Sequence, residues 1–233
     1  MSGINLHFPQ DLTEALGLLQ ELEGARILAG GTDLLVDYKQ GLIQIHHLIS
    51  LQELKELKEI ENKNANIRIG TMATALEIIS HPLINEHIPA LVEVARAMAS
   101  SHIRSLATIG GNIASGVPSA DFPPTLIAAD AIVELRCSQS RREISLLEFF
   151  TGPRETVCRE EEMLTTILIP VPPPKTRPRY IAESSNPVSQ KDPTGPKRWV
   201  RVRIYLFWRL SPMPSPMQPA CGLKISLSPQ KRY

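Results

Sequence analysis

The sequence ILAGGTDLLVDYKQG, residues 27–41, places two glycines after a short apolar run and before short polar side chains. A second stretch, TIGGN at residues 108–112, repeats this arrangement. Paired glycines permit positive φ and lack Cβ atoms, so successive backbone N–H groups can converge on an anion. The side chains of Thr32, Thr108 and Asn112 can add hydrogen bonds to a phosphate or a ribose. One such turn is commonly an ordinary tight turn, whereas two with matching neighbours predict a diphosphate held between two loops.

The patterns around these loops mix helices and strands irregularly, which favours an α+β fold over regular βαβ winding. Helices are predicted at 12–22 with Asp11 as cap, 34–40, 74–80 opened by Thr74, 89–100 and 146–150. Strands are predicted at 26–29, 47–50, 67–72, 107–109, 131–137 and 164–169. The charged amphipathic stretch 51–61 predicts a solvated helix face, and a partner-docking face is its alternative.

The net charge of +1 hides an uneven distribution along the 233 residues. Residues 171–233 contain 12 of the 25 basic residues but two of the 24 acidic ones, and 12 of the 20 prolines. This change predicts a domain over 1–172 followed by a Pro-rich basic tail over 173–233 that is largely irregular. Translation in a shifted reading frame explains the abrupt change, and a divergent truncated tail is the alternative.

One segment of the tail has strand character. WVRVRIYLFWRL, residues 199–210, alternates apolar and basic side chains and predicts a lone amphipathic strand with nothing to pair with. Its interleaved aromatic and basic residues also suit a stacking platform for nucleic acid. No recognised nucleic-acid-binding module accompanies it, so we expect no nucleic-acid partner.

Several classes of protein are disfavoured by what the sequence lacks. No apolar run approaches the roughly 20 residues of a membrane span, and the first residues do not form a secretory signal. With three cysteines and no CxxC pair, a disulfide framework and a zinc site are not expected, and a cytoplasmic location is predicted. The Walker and Rossmann fingerprints are absent. The six histidines show no ligand spacing, so no metal ligand is predicted.

Together, ILAGGTDLLVDYKQG and SLATIGGNIASGVPSADFPPTLIAADAIVEL, residues 105–135, resemble the FAD-binding medium subunit of the molybdenum hydroxylases. This family includes xanthine dehydrogenase and aerobic carbon monoxide dehydrogenase. The segment LLEFFTGPRETVCREEEMLTTILIP, residues 146–170, extends the resemblance, which covers residues 3–172. It implies a vanillyl-alcohol-oxidase-type (PCMH-type) FAD-binding domain of two α+β subdomains.

The resemblance implies a set of FAD-binding residues and no catalytic residue. The first glycine loop would wrap the diphosphate from one side, through Ile27, Leu28, Ala29, Gly30, Gly31, Thr32, Asp33 and Leu34. The second would approach from the other, through Thr108, Ile109, Gly110, Gly111 and Asn112. Asp121 would bind the ribose or adenine side, and the backbone of Leu164 would lie near the flavin ring.

The residues themselves leave alternatives open. Asp121 suits a turn or a helix cap, and Leu164 suits the hydrophobic core. Asp33 would repel a diphosphate directly, so it is predicted to cap the helix over 34–40. Arg104 could pair with a phosphate or lie on the solvated surface.

The implied function is electron transfer within a complex. In this family a large subunit carries molybdopterin and a small subunit carries two [2Fe–2S] clusters, whose electrons pass through FAD to NAD⁺, a quinone or oxygen. Molybdopterin and the clusters are therefore expected only in partner subunits. The family also has a C-terminal subdomain whose lysine contributes to flavin binding, and nothing after Pro174 resembles it.

The alternative is a truncated, FAD-deficient fragment that acts only as a subunit-binding module. A stand-alone flavin oxidase would favour covalent attachment, and residues 27–36 contain neither His nor Cys.

Overall fold

A computed structural model describes residues 3–171 together with the strands at 179–184 and 202–207. The chain divides into two units, Met1–Val171 and Pro172–Tyr233. Within the described residues, no helix combines the length and the apolar character that crossing a membrane requires.

The first sheet of the larger unit is parallel. Its strands are β1 (Asn5–His7), β2 (Arg26–Leu28) and β3 (His47–Ser50), in the spatial order β1-β3-β2. Helices α1 (Leu12–Glu21) and α2 (Leu34–Lys39) form the connections between them. The side chain of Asp11 accepts a hydrogen bond from the N–H of Glu14 at 2.8 Å, so the predicted cap of α1 is confirmed. β2 is partly buried rather than fully buried, because it lies at the edge of the sheet.

The second sheet is antiparallel and has the order β4-β5-β10-β6-β7. Its strands are β4 (Ile60–Lys63), β5 (Asn66–Gly70), β6 (Ile132–Arg136), β7 (Arg141–Ser145) and the central β10 (Met163–Pro170). A small hairpin of β8 (Phe150–Gly152) and β9 (Glu155–Thr156) precedes β10. Alternate residues of β5 and β6, such as Ile67 with Ile69 and Val133 with Leu135, are fully buried and form one core-facing side.

Short helices cover this core. They are α3 (Ala75–Ser80), α4 (Pro82–His87), α5 (Pro89–Ala97), α6 (Ser101–Arg104), α7 (Ile109–Ala114), α8 (Phe122–Ala128) and α9 (Leu146–Phe149). Thr74 opens α3 through a complete capping box with Glu77. The α+β arrangement of two subdomains around separate sheets is therefore confirmed.

Two element predictions are wrong. Residues 107–109 do not form a strand: Thr108 makes a single isolated bridge with Thr74, and α7 begins at Ile109. The stretch 51–61 is not a solvated helix, because it contains a 3₁₀ turn at Lys55–Leu57 and the start of β4. Its residues Leu51, Leu54 and Leu57 are buried, and their spacing of three matches the period of the 3₁₀ turn that follows Leu54.

The second unit contains one described strand pair. Strand β11 (Arg179–Ser184) pairs antiparallel with β12 (Val202–Phe207), with Arg179 opposite Phe207. The prediction of a lone strand at 199–210 is thus wrong in one respect: a strand forms there but has a partner, and sequence reasoning missed that partner. The other predictions for residues 173–233 lie outside the described residues.

Candidate functional site

The first glycine loop connects β2 to α2 and requires its glycines for different reasons. Gly31 has a φ of +71°, in the left-handed region that side chains disfavour. Gly30 instead lies against another segment: a Cβ on Gly30 would lie 2.0 Å from the carbonyl oxygen of Leu106. The backbone of this loop therefore touches the segment that enters the second loop.

The first loop presents unused hydrogen-bond donors. Within the described residues, the N–H groups of residues 30–34 donate no hydrogen bond. Asp33 occupies the N-cap position of α2, but its side chain makes no capping hydrogen bond, so the predicted cap holds for the position of Asp33 alone. The start of α2 thus leaves a run of five donors available to an anionic group.

The second glycine loop uses its backbone donors within the protein. The N–H groups of Ile109 and Gly110 donate to the carbonyl oxygens of Ala73 and Thr71, each at 2.9 Å. The N–H of Gly111 donates to Oγ1 of Thr108 at 3.1 Å. The N–H of Asn112 donates to the carbonyl oxygen of Thr108 at 3.0 Å. The first turn of α7 therefore has no free backbone donor, and its contribution to a ligand must come from side chains.

Gly110 is required by packing rather than by φ. A Cβ there would lie 2.4 Å from Cβ of Thr71, at the end of β5. The hydroxyl of Thr71 is buried and has no hydrogen-bond partner among the described residues. Sequence reasoning missed Thr71, because nothing in its own neighbourhood signals contact with a loop 40 residues later.

The two loops lie side by side. Besides the contact of Gly30 with Leu106, a Cβ on Gly111 would lie 3.7 Å from Cβ of Ala29. A cleft of about 150 Å³ is lined by Ala29, Gly30, Gln52, Lys58, Met72, Thr74, Glu77, Ser105, Leu106 and Thr108. Because pockets for drug-sized ligands occupy roughly 300–1,000 Å³, this cleft would hold only part of a dinucleotide. A larger depression of about 440 Å³ beside Gln10 and Glu53 contains none of the predicted site residues.

Asp121 stands near the loops at the start of α8. The Oδ1 atom of Asn112 accepts a hydrogen bond at 3.1 Å from the N–H of Phe122, which fixes the start of α8 against the second loop. Asp121 occupies the N-cap position without a capping hydrogen bond, so the helix-cap interpretation holds for its position alone. Asp121 is exposed at the surface, yet partial desolvation of its carboxyl raises its pKa, and the charge of Asp33 raises it further. The carboxylate of Asp33, after the first loop, and that of Asp121, at the start of α8, are therefore close enough for their charges to interact.

The side chain of Leu164 lies elsewhere. It is 6% exposed and belongs to the core around the antiparallel sheet. Its partner in the neighbouring strand is Leu135, and the ladder shifts register directly after Leu164. The core interpretation of the side chain is confirmed, while the expected contact of its backbone with a flavin ring stays a prediction.

Arg104 is partly buried, and its contacts lie within the protein. Its Nη1 atom donates to the carbonyl oxygens of Met98 at 2.7 Å and Ala99 at 3.0 Å, just beyond the end of α5. These contacts use one nitrogen of the guanidinium to close the helix. The pairing of Arg104 with a phosphate stays a prediction. Over the part of the chain that the structure describes, no three His, Cys, Asp or Glu side chains are grouped as metal ligands.

Known families and proteins are similar to the part of the chain that contains both glycine loops. The family described as "FAD binding domain in molybdopterin dehydrogenase" matches residues 2–172. The carbon monoxide dehydrogenase medium chain of Hydrogenophaga pseudoflava is 35% identical over 165 residues, which cover 70% of this chain and 58% of that protein. A putative xanthine dehydrogenase FAD-binding subunit of Escherichia coli K12 is 33% identical over 170 residues, which cover 72% and 58%. The chain thus spans less than two thirds of the length of these curated relatives.

Solved structures of similar fold point the same way. A Cu,Mo-CO dehydrogenase chain superposes with a TM-score of 0.74 and 31% identity, covering 80% of this chain and 66% of that one. A chain of quinoline 2-oxidoreductase from Pseudomonas putida 86 superposes with a TM-score of 0.73 and 25% identity, covering 79% and 64%.

Proposed function

The chain belongs to the family of FAD-binding domains in molybdopterin dehydrogenases, and from this we propose that residues 1–172 bind FAD as the medium subunit of a molybdenum hydroxylase. The observation that carries the proposal is the run of N–H groups at residues 30–34 that have no acceptor in the described part of the chain, beside a second loop whose backbone donors are all used. A diphosphate is the part of FAD that such a run accommodates best.

The residues of the two loops fit the diphosphate of FAD and the hydroxyl groups beside it. The N–H groups of residues 30–34 would hold the phosphate oxygens, and the contact of Gly30 with Leu106 sets the distance between the loops. Asn112 uses Oδ1 to hold α8, which leaves its amide N–H₂ group for a ligand. Asp33 and Asp121 would accept hydrogen bonds from ribose hydroxyls rather than approach the phosphates, because carboxylates repel phosphates.

Bound FAD would supply the redox chemistry, accepting electrons from [2Fe–2S] clusters and passing them to NAD⁺, a quinone or oxygen. The chain itself binds and orients the cofactor, and no side chain is assigned an acid–base role. The molybdopterin-binding large subunit and the [2Fe–2S] small subunit are the proposed partners, and the complex is proposed to be cytoplasmic. In this proposal residues 173–233 stand in place of the family's C-terminal subdomain.

The proposal is tested on the purified full chain. We expect visible flavin absorption bands and a near-stoichiometric amount of FAD released on denaturation. A folded but colourless protein that does not take up added FAD would contradict the proposal. That result would support the alternative, a subunit-binding module without FAD.

We predict that Asp121→Asn stabilises the FAD-free chain but weakens FAD binding about tenfold, since hydrogen bonds to charged groups contribute about 1.5–3 kcal/mol. The pKa of Asp121 is raised in the folded state. As pH rises from the ordinary Asp pKa to the raised one, the folded chain keeps a proton that the unfolded chain loses, so wild-type stability falls. The stability difference between variant and wild type should therefore grow across this range and remain constant above it.

Urea unfolding at several pH values and FAD titration measure the two effects of Asp121→Asn. Asp130→Asn is the matched control, because Asp130 follows the other end of the same helix and has a positive φ that Asn also tolerates. It should change neither the pH profile nor FAD affinity. Equal pH profiles for Asp121→Asn and wild type would refute the raised pKa.

A further inference from the structure

Arg154 lies outside both glycine loops but contacts Asp37 in α2, the helix after the first loop, and Gly116, which follows α7. It occupies the turn of the β8–β9 hairpin and has a φ of +62°, which is uncommon for a residue with a side chain. Its backbone and its side chain make separate long-range contacts, which place it between two segments that are distant in sequence.

The backbone of Arg154 holds the segment that leads to Asp121. Its N–H donates to the carbonyl oxygen of Gly116 at 2.8 Å. Gly116 also has a positive φ, +58°, and a Cβ there would lie 3.2 Å from Cα of Arg154. The far end of this segment is held by the bond between Phe122 and Asn112. Residues 116–121 are therefore fastened at both ends.

The side chain of Arg154 holds the helix that follows the first glycine loop. Its Nη1 atom lies 2.7 Å from Oδ2 of Asp37 in α2. The side chain of Asp37 is 16% exposed and that of Arg154 57%. The N–H of Asp37 in turn donates to the carbonyl oxygen of Asp33 at 2.9 Å, so the ion pair acts directly on the turn that carries the free donors.

We propose that Arg154 is a positioning residue for FAD, which joins α2 to residues 116–121 and so maintains the spacing between the two sides of the site. This inference rests on the proposed FAD-binding function. A partly exposed ion pair contributes little to global stability. The effect of the ion pair is expected instead in the rate at which FAD dissociates from the site.

The test measures FAD dissociation from the full chain by flavin fluorescence. Arg154→Ala and Asp37→Asn should each raise the dissociation rate about three- to fivefold, the upper part of the range for such a pair, because the Asp37 side chain is largely buried. The double variant should match either single variant, because both remove one interaction. Exchanging the charges, with Asp37→Arg and Arg154→Asp together, should restore most of the wild-type rate. Arg96→Ala is the control, since it breaks an exposed ion pair with Glu93 within α5.

A second measurement does not depend on FAD. In the FAD-free chain, amide hydrogen exchange over residues 34–40 and 116–121 should be faster in Arg154→Ala than in wild type or Arg96→Ala. Unchanged exchange would overturn the proposed joining whether or not FAD binds. If Arg154→Ala speeds amide exchange as expected but leaves the FAD dissociation rate at the wild-type value, Arg154 has a structural role only. That result would overturn its role toward FAD. A wild-type chain that binds no FAD, with exchange affected as expected, would refute the proposed function but not the joining.

Discussion

Gly30→Ala is expected to weaken FAD binding about a hundredfold, because hydrogen bonds to charged groups contribute about 1.5–3 kcal/mol each and about 1.4 kcal/mol corresponds to a tenfold change in affinity. The added Cβ would lie 2.0 Å from the carbonyl oxygen of Leu106 and 2.8 Å from its carbonyl carbon. Both are backbone atoms, and the adjacent carbonyl of Ala107 accepts a hydrogen bond from the N–H of Ala75. The first loop must therefore retreat and carry its donors away from the second. FAD titration by flavin fluorescence measures the loss.

Gly17→Ala is the matched control for Gly30→Ala. Gly17 lies inside α1, where an added Cβ meets nothing within 4 Å. It should leave FAD affinity unchanged and raise the free energy of unfolding by about 0.5–1 kcal/mol, because Ala is the better helix former. In Gly30→Ala the free energy of unfolding should fall by about 1–3 kcal/mol, because the added methyl group overpacks the loop contact. An affinity within twofold of wild type in folded Gly30→Ala would show that the close approach of the loops does not set FAD binding.

Arg142→Ala should have the largest effect on stability, lowering the free energy of unfolding by about 3 kcal/mol, the lower end for breaking a buried ion pair. Two nitrogens of Arg142 each lie 2.7 Å from a carboxylate oxygen of Glu162, whose side chain is 4% exposed. The lower end applies because the Arg142 side chain is 35% exposed. Removal of the guanidinium leaves a buried carboxylate with the N–H of Arg159 as its remaining donor in the described residues. Urea unfolding measures the change.

The pH dependence of stability provides an independent check on this pair. The hydrogen bond from Arg142 lowers the pKa of Glu162. A lowered carboxyl pKa contributes stability above the ordinary Glu pKa, and this contribution is lost as pH falls through the lowered value. Arg142→Ala should flatten this acid dependence. Arg141→Ala is the control: its side chain is 73% exposed and lies 3.9 Å from Glu134, so the loss should stay below about 0.5 kcal/mol. A loss under 1 kcal/mol for Arg142→Ala would contradict the assigned role.

Local signals in the sequence predicted much of the fold. Asp11 and Thr74 cap their helices as their short polar side chains predict, and the alternation of Ile67 and Ile69 marks a strand with one buried face. These signals succeed because a cap or an alternating pattern is decided within a few residues. The prediction at 107–109 failed because an apolar run of three residues suits a strand and the start of a helix equally well.

The sequence by itself determined the family, the mixed fold and the two glycine loops as the center of the proposed site, because spacing and residue type carry that information. Only the tertiary structure decided how the loops differ: the N–H groups of the first find no acceptor among the residues that the structure describes, while the second donates to Thr71 and Ala73. It alone brought Asp33 near Asp121 and placed Arg154 between α2 and Gly116. The physical reason is that a donor is free or satisfied according to which acceptors long-range packing places beside it.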